Sequence, residues 1–209
     1  MQKLPELEYG RYYHVYNRGI NRQNIFFEAR NYGYFLKLYA HRLGPVADTY
    51  AYCLMKNHFH LLIRIKTEEE QEQTWLETQN CQVSETWQLL NPTQQFSNFF
   101  NSYAKSINKA YNRTGSLFQK RFGRIEVDSD EYFIHLVTYI HQNPQKHGFV
   151  ADFRTYPYSS YRAMLSTLPT RIKRNEVLAW FNGTETLKQH HHTSPDEQQI
   201  RHLLADDFA

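Results

Sequence analysis

Cysteine is scarce in this sequence, and the features that mark secreted or membrane proteins are missing. The 209 residues include two cysteines, Cys53 and Cys81, which excludes a fold stapled by several disulfides. Because Cys53 falls in a predicted buried strand, reduced thiols and a cytoplasmic location are the simplest interpretation. No apolar stretch approaches the length of a membrane span, and residues 1–10 lack the apolar core of a signal peptide.

A strong excess of charge of one sign is also absent. The formal net charge is +3 and the isoelectric point is about 8.7, so the composition permits nucleic-acid binding without requiring it. Hydrophobic residues make up 41% of the chain, which is enough to bury a sizeable core. We therefore expect one domain with an appendage, and the sequence contains no internal repeats.

The spacing of apolar residues predicts strands and helices in a mixed order over the first 150 residues. Extended patterns predict strands over 12–17, 48–55, 58–65 and 117–127. Helical spacing predicts helices over 29–43, 96–111 and 130–143, the last ending where Pro144 disfavours a further turn. This order indicates an α+β protein in which helices pack on an antiparallel sheet.

Two stretches differ in composition from this core. Residues 67–95 are rich in Glu, Gln, Thr and Asn, which is typical of a solvated helix followed by a loose linker. Residues 151–209 read as a C-terminal extension, with a short helix expected at 175–181 and a polar helix from about Ser194. We therefore expect a core of residues 1–150 with a polar insertion, followed by this extension.

The motif His58-Phe59-His60 lies inside an extended apolar run, so both imidazoles project from the same face of a strand. Two imidazoles on a rigid strand can bind one divalent cation, while Phe59 anchors the strand from the opposite face. With 11 histidines in the chain, about 0.6 such pairs are expected by chance. The pair therefore gains meaning only with a third ligand and a reactive group elsewhere.

The helix predicted at 130–143 contains candidates for both the third ligand and the reactive group. Its core stripe consists of Phe133, Leu136, Val137 and Ile140. Tyr139 and Asn143 lie four residues apart and face the same point, one as a nucleophile and the other as an oxygen ligand. Gln142 is an alternative third ligand and Tyr132 an alternative nucleophile. Packing is the more common role of a tyrosine on a helix, so this pattern needs further support.

Here the chain resembles the single-tyrosine HUH transposases, and most closely their REP-associated tyrosine transposase branch. The resemblance rests on Met55-Lys56-Asn57-His58-Phe59-His60-Leu61-Leu62 and on Tyr139-Ile140-His141-Gln142-Asn143-Pro144, with Lys146-His147-Gly148 close behind. Tyr16-Asn17-Arg18-Gly19 and Phe118-Gln119-Lys120-Arg121-Phe122 also match, so the likeness covers about residues 11–165. It implies a ferredoxin-like fold with the histidines on the sheet and the tyrosine on an adjacent helix.

In this family the tyrosine hydroxyl attacks a phosphodiester of single-stranded DNA and leaves a 5′-phosphotyrosine link and a free 3′-hydroxyl. The resemblance therefore implies that Tyr139 is the nucleophile and that His58, His60 and Asn143 bind a divalent metal. Mg²⁺ or Mn²⁺ is expected, because no thiolate lies near the motif. The implied substrate is single-stranded DNA with hairpins such as REP-like palindromes, which the enzyme would cleave and rejoin. A monomer is favoured over a homodimer.

Basic residues cluster around these motifs and are candidates for phosphate contacts, since guanidinium groups match phosphate oxygens. They are Arg18, Arg22, Lys120, Arg121, Arg124 and Lys146. Two other functions stay open: a domesticated module that binds DNA hairpins without cutting, and a replication initiator or relaxase with related chemistry. The intact set of His58, His60, Tyr139 and Asn143 argues against the first, and we expect no room for the helicase modules of the second.

The other histidines are interpreted as incidental. His135 and His141 are expected at the surface of the predicted helix, although either could transfer protons or contact phosphate. The tract His190-His191-His192 lies in a polar region that we expect to be flexible, and no partner ligand can be identified for it.

Overall fold

Four strands form one antiparallel sheet in the computed structural model, which describes residues 6–78, 87–119 and 121–193. The strands are β1 (Tyr12–Arg18), β2 (Ala47–Met55), β3 (His58–Ile65) and β4 (Gly123–Val127), in the order β2-β3-β1-β4. The helices are α1 (Ala29–Leu43), α2 (Glu68–Thr78), α3 (Pro92–Ala110), α4 (Asp130–Lys146), α5 (Tyr161–Leu165), α6 (Arg174–Trp180) and α7 (Thr184–His190). This is the ferredoxin-like order, so the predicted α+β class is confirmed.

The sheet separates two apolar layers. Side chains alternate along each strand, so Val15 and Phe59 point to the face covered by α1 and α3. Met55 and Leu62 point to the other face, where α4 packs across β2 and β3. The histidines of β3 share this second face, because His58 and His60 have the same parity as Leu62.

Strands β2 and β3 form a hairpin, with Lys56 and Asn57 as its two-residue connection and Met55 opposite His58. The turn is tied to the segment that follows β1. Its Lys56 carbonyl accepts a hydrogen bond from the Ile25 amide (2.9 Å), and its Asn57 carbonyl accepts one from the Gly19 amide (2.8 Å). These bonds fix the position at which β3 begins, and therefore the position of His58.

Helix α4 does not end before Pro144, as predicted, but continues to Lys146. Pro144 lies in the last turn, so its missing N–H costs the helix a single hydrogen bond close to its end. The Pro144 carbonyl accepts a hydrogen bond from the Phe149 amide (2.8 Å), which stabilises the chain reversal after the helix. At the other end Ser129 caps the helix by accepting a hydrogen bond from the Tyr132 amide (3.3 Å).

Strand β4 is shorter than the predicted segment 117–127 and begins at Gly123. The reason is local: Arg121 adopts a left-handed backbone conformation (φ 62°), which interrupts an extended strand. Gly123 itself lies under the ring of Tyr16, and an added Cβ atom would come within 2.2 Å of that ring. A residue with a side chain would therefore displace Tyr16 from the sheet.

Among the described residues, the polar insertion and the extension contain helical segments that their composition did not predict. Helix α3 begins at Pro92, inside the predicted linker, because the Asn91 side chain caps it by accepting from the Gln94 amide (2.9 Å). In the extension, α6 matches the predicted short helix, whereas α7 was not predicted. The polar helix expected from Ser194 lies outside the described residues. None of the helices in the described segments is long and apolar enough to cross a membrane.

Candidate active site

His58 is held in one orientation by its neighbour in the hairpin turn. Its Nδ1 atom lies 2.7 Å from the Asn57 Oδ1 atom, which can only accept, so Nδ1 carries the proton. The lone pair is then on Nε2, a buried atom without a hydrogen-bond partner among the described residues. Burial, together with the nearby His147 and Arg18, lowers the pKa of the His58 imidazole to about 3. His58 is thus a neutral imidazole, the form that binds metals.

His60 is also held through its Nδ1 atom, by a residue that the sequence did not single out. His14 on β1 places its Nε2 atom 2.9 Å from His60 Nδ1, and the two rings stack with centroids 5.1 Å apart. Burial holds the pKa of His60 well below its usual value, with His14 and His58 adding to the effect. His60 is therefore neutral as well, and a ligand would approach it at its Nε2 atom.

Helix α4 brings Tyr139 and Asn143 into the same layer, on the sheet side of the helix. The Tyr139 ring is 1% exposed and meets the His60 ring edge-on, with centroids 5.8 Å apart. Its hydroxyl has no hydrogen-bond partner among the described residues, and neither do the two polar atoms of the buried Asn143 amide. Leaving a buried polar group unpaired costs about 1–3 kcal/mol, so this cluster is built for a partner outside the chain.

The donor set fits a hard divalent cation. Two neutral imidazoles and one amide oxygen would leave coordination positions for water and phosphate oxygens. Within the described segments, no group of three His, Cys, Asp or Glu side chains is arranged to hold a metal ion. A metal held by His58 and His60 would therefore need a third ligand of another type, such as the amide oxygen of Asn143.

The two alternatives raised by the sequence differ from Tyr139 and Asn143 in their surroundings. The Gln142 amide nitrogen donates to the carbonyls of His191 (2.9 Å) and Thr193 (3.1 Å), so its side chain is directed toward the C-terminal extension. Tyr132 lies two turns before Tyr139, in the first turn of α4, and packs against the second apolar layer. The structure brings neither residue together with the histidine pair.

Two further residues at the end of α4 join the site. His147 caps the helix and places its ring 4.9 Å from the ring of His58. Phe149 follows it, with 37% of its surface exposed and its ring 6.3 Å from that of His58. His147 was within a motif segment, but nothing in the sequence distinguished Phe149.

The predicted phosphate-binding residues separate into distinct locations. Arg18 lies opposite His58 in the β1–β3 pairing, and the ammonium of Lys146 lies 5.0 Å from the centre of the Tyr139 ring. Arg22 is exposed in the 3₁₀ turn that follows Gly19. Arg121 is also exposed, two positions after the residue whose amide donates a hydrogen bond to the Arg18 carbonyl. Arg18 and Lys146 therefore place positive charge beside neutral histidines, which favours an anion.

The structure does not bring Arg124 to this site. Arg124 pairs with Val15 and projects from the α3 face of the sheet, where its guanidinium lies 5.0 Å from the centre of the Phe122 ring. The predicted clustering was wrong for this residue, since alternation along a strand assigns it to the opposite face from His60. Lys120, the remaining candidate, lies outside the described residues.

A cavity of about 480 Å³ lies beside Tyr139, which forms part of its wall. Its wall includes Gln142, Gln145, Lys146 and Arg154, which supply amide groups and positive charge. Cavities of roughly 300–1,000 Å³ are typical of small-ligand sites.

The other histidines depart from expectation. His141 was predicted at the surface but is fully buried, and His191 was assigned to a flexible tract but is 3% exposed at the end of α7. The two are hydrogen-bonded to each other, with 2.8 Å between His141 Nδ1 and His191 Nε2. His135 is partly exposed, as expected, and its Nε2 atom lies 3.8 Å from the Glu131 carboxylate.

Comparisons with known proteins agree with the resemblance found in the motifs. A putative REP-associated tyrosine transposase of Haemophilus influenzae is 28% identical over 114 residues, which are 54% of this chain and 58% of that protein. A solved structure of a REP-associated tyrosine transposase bound to a REP hairpin matches with a TM-score of 0.57 and 16% identity, covering 81% of this chain and 88% of the other. No protein-family model matches. The predicted similarity to the REP-associated branch is confirmed, and the structural match shows a shared fold.

Proposed function

We propose that this protein, like the REP-associated tyrosine transposases that it resembles, is a metal-dependent enzyme that cleaves and rejoins single-stranded DNA at or near hairpins. One observation carries the proposal: the His58 Nε2 atom, the Tyr139 hydroxyl and the Asn143 amide are buried, and none has a partner within the described residues. Such groups are costly in a folded core, and they are the groups that the reaction requires.

In the proposed reaction, the Tyr139 hydroxyl oxygen bonds to the phosphorus of a phosphodiester while the bond from phosphorus to the 3′-oxygen breaks. The phenolic proton is lost, and the departing 3′-oxygen takes up a proton, so the products are a 5′-phosphotyrosine and a 3′-hydroxyl. Attack of a 3′-hydroxyl on this link reverses the step and joins strands. Phenols ionise near about pH 10, so the attack requires positive charge close to the reacting atoms.

The residues around Tyr139 supply that environment. Lys146 lies over the ring and Arg18 lies beside His58, so both cations can hold the non-bridging phosphate oxygens. Asn57 and His14 fix the two imidazoles through their Nδ1 atoms, which orients both Nε2 atoms before any ligand arrives. A Mg²⁺ or Mn²⁺ ion bound by His58, His60 and Asn143 would polarise the phosphate and stabilise charge on the leaving oxygen.

The test uses the purified chain, a labelled single-stranded hairpin DNA taken from repeats flanking its gene, and Mn²⁺ or Mg²⁺. We expect a covalent protein–DNA adduct on a denaturing gel, which disappears with EDTA and with Tyr139→Phe. Tyr132→Phe is the matched control, since this tyrosine lies on the same helix, and it should retain the adduct. An adduct that persists in Tyr139→Phe would contradict the assignment.

One observation favours a second candidate function, a module that binds hairpins without cutting. The Tyr139 side chain is only 1% exposed, which suits a packing residue as well as a nucleophile awaiting DNA. In the same assay, tight hairpin binding without an adduct under either metal would support this alternative.

A further inference from the structure

A second set of buried polar side chains lies on α4, centred two residues beyond Tyr139. His141 is fully buried, with Nδ1 2.8 Å from His191 Nε2 and Nε2 2.7 Å from the Ser160 hydroxyl oxygen. His191 Nδ1 lies 2.7 Å from the Leu187 carbonyl oxygen. These contacts link the site helix to the start of α5 and the end of α7.

The donor and acceptor of each hydrogen bond in this series can be assigned by starting from the Leu187 carbonyl at one end. The Leu187 carbonyl can only accept, so His191 carries its proton on Nδ1 and accepts on Nε2. His141 must then donate through Nδ1 and accept through Nε2, which requires Ser160 to donate its hydroxyl proton. The Ser160 oxygen in turn accepts from the Tyr52 amide (2.9 Å), so all ring nitrogens of both histidines are satisfied.

The order Ser160, His141, His191 resembles the geometry of a hydrolase triad, but the surroundings exclude that role. Ser160 and His141 are 0% exposed and His191 is 3% exposed. The serine oxygen accepts a hydrogen bond from the Tyr52 amide of β2 and is closed off from solvent, so no substrate carbonyl can approach it. The arrangement is structural, and what it holds is α4.

Its position on the helix connects it to the site. With 3.6 residues per turn, Tyr139 and Asn143 share one face, whereas His141 points about 200° around the axis from Tyr139. The adjacent Gln142 also reaches the extension, donating to the carbonyls of His191 and Thr193. His141 and Gln142 are consecutive residues that contact the extension and not the site. Their contacts therefore restrict rotation of α4 about its own axis.

We propose that these contacts form a C-terminal clasp (Ser160, His141, Gln142 and His191), in which His191 is a positioning residue for Tyr139. Without His191, the His141 ring loses a buried partner, and α4 can rotate so that the tyrosine moves relative to His60. The catalytic consequence rests on the proposed function. The clasp makes the extension part of the reacting unit, because His191 acts on Tyr139 through His141 and α4.

The test compares His191→Leu with His191→Gln, which retains an amide oxygen to accept from His141. His190→Leu is the matched control, because the adjacent His190 is exposed. At saturating hairpin DNA, we expect His191→Leu to slow adduct formation by about tenfold or more, since a shift of roughly 1 Å can cost as much as a hundredfold. The hairpin Kd should stay within about twofold, and His191→Gln should recover most of the rate.

Equal losses of rate and affinity, or no recovery in His191→Gln, would overturn the positioning role. If His191→Leu does not fold, Ser160→Ala, which removes the other hydrogen-bond partner of His141, takes its place and should slow adduct formation at unchanged affinity. A wild-type protein that forms no adduct would refute the proposed function instead. The clasp is then judged by amide exchange: His191→Leu should speed exchange over residues 138–143 relative to β3, and an unchanged exchange pattern would refute the clasp.

Discussion

Two sets of buried polar groups lie on opposite sides of the same helix, and their hydrogen bonding differs. On the sheet side, Tyr139 and Asn143 present atoms that no described residue satisfies. On the other side, His141 uses both ring nitrogens, one on His191 and one on Ser160. The difference teaches that burial of a polar residue does not by itself indicate function; a buried group without a partner does.

The two histidine motifs differ in how the nitrogens of their imidazoles are used. In His58-Phe59-His60 both imidazoles leave the same face of a strand, and each is oriented through Nδ1 by a different neighbour. In His190-His191-His192 only the middle residue is buried, and its two nitrogens are both used within the protein. The first motif is prepared for a ligand, whereas the second joins two parts of the fold.

The largest effect is expected from His60→Ala, which removes one imidazole from the motif that is prepared for a ligand. Losing one imidazole should reduce Mn²⁺ affinity and slow adduct formation by about two to three orders of magnitude, equivalent to several kcal/mol of charge stabilisation. Isothermal titration with Mn²⁺ and the adduct assay measure both quantities. His41→Ala, in an exposed position on α1, is the control and should change neither. Unchanged Mn²⁺ binding in His60→Ala would argue against the metal site.

A smaller effect is expected from Asn57→Ala, which leaves both candidate ligands in place. The His58 Nδ1 proton loses its acceptor, so the ring is free to rotate or change tautomer. Removing such an orienting group typically lowers metal affinity by about 10–100-fold. The same titration measures it, and an affinity equal to that of the wild type would show that Asn57 does not orient His58.

Stability separates the two sides of α4. His141→Leu removes one hydrogen-bond partner from each of His191 and Ser160 and should lower the free energy of unfolding by about 1–3 kcal/mol. Asn143→Leu removes an amide that no described residue satisfies, so it should leave stability unchanged or raise it while abolishing adduct formation. Denaturant unfolding of both variants tests the pair. Equal destabilisation by the two substitutions would remove the distinction between site and clasp.

The smallest effect concerns the basic residues. Arg18→Ala should weaken hairpin binding by a factor of about three to ten and reduce the salt slope of log K by about 0.7, as for one lost contact with a single strand. Arg124→Ala should change binding little, because Arg124 projects from the opposite face of the sheet. Fluorescence polarisation at several salt concentrations distinguishes them. A larger loss from Arg124→Ala than from Arg18→Ala would place the DNA on the α3 face.

Local pattern was sufficient for much of the fold. The helical spacing of α1 predicted its bounds, and the alternation of β3 predicted that His58 and His60 share a face. Pattern was insufficient where the backbone departs from the usual rule. Arg121 turns the chain with a positive φ, and Pro144 is tolerated because it lies in the last turn of α4. Neither departure has a signal in residue type.

The missed residues of the site share a different cause. His14 contacts His60 across 46 positions of the sequence, and His191 contacts His141 across 50. Such pairs arise from strand pairing and from the packing of the extension, which periodicity within one element does not report. The motif segments indicated Tyr139 and Asn143 because these two lie on one helix, one turn apart.

The most direct test of the account locates the covalent bond. The adduct formed with hairpin DNA and Mn²⁺ is digested with nuclease and protease, and the peptide that carries the nucleotide is sequenced by mass spectrometry. We expect the nucleotide on Tyr139 alone, with Tyr132 and Tyr16 unmodified. A nucleotide on any other residue would contradict the assignment of the unpartnered tyrosine hydroxyl as the nucleophile.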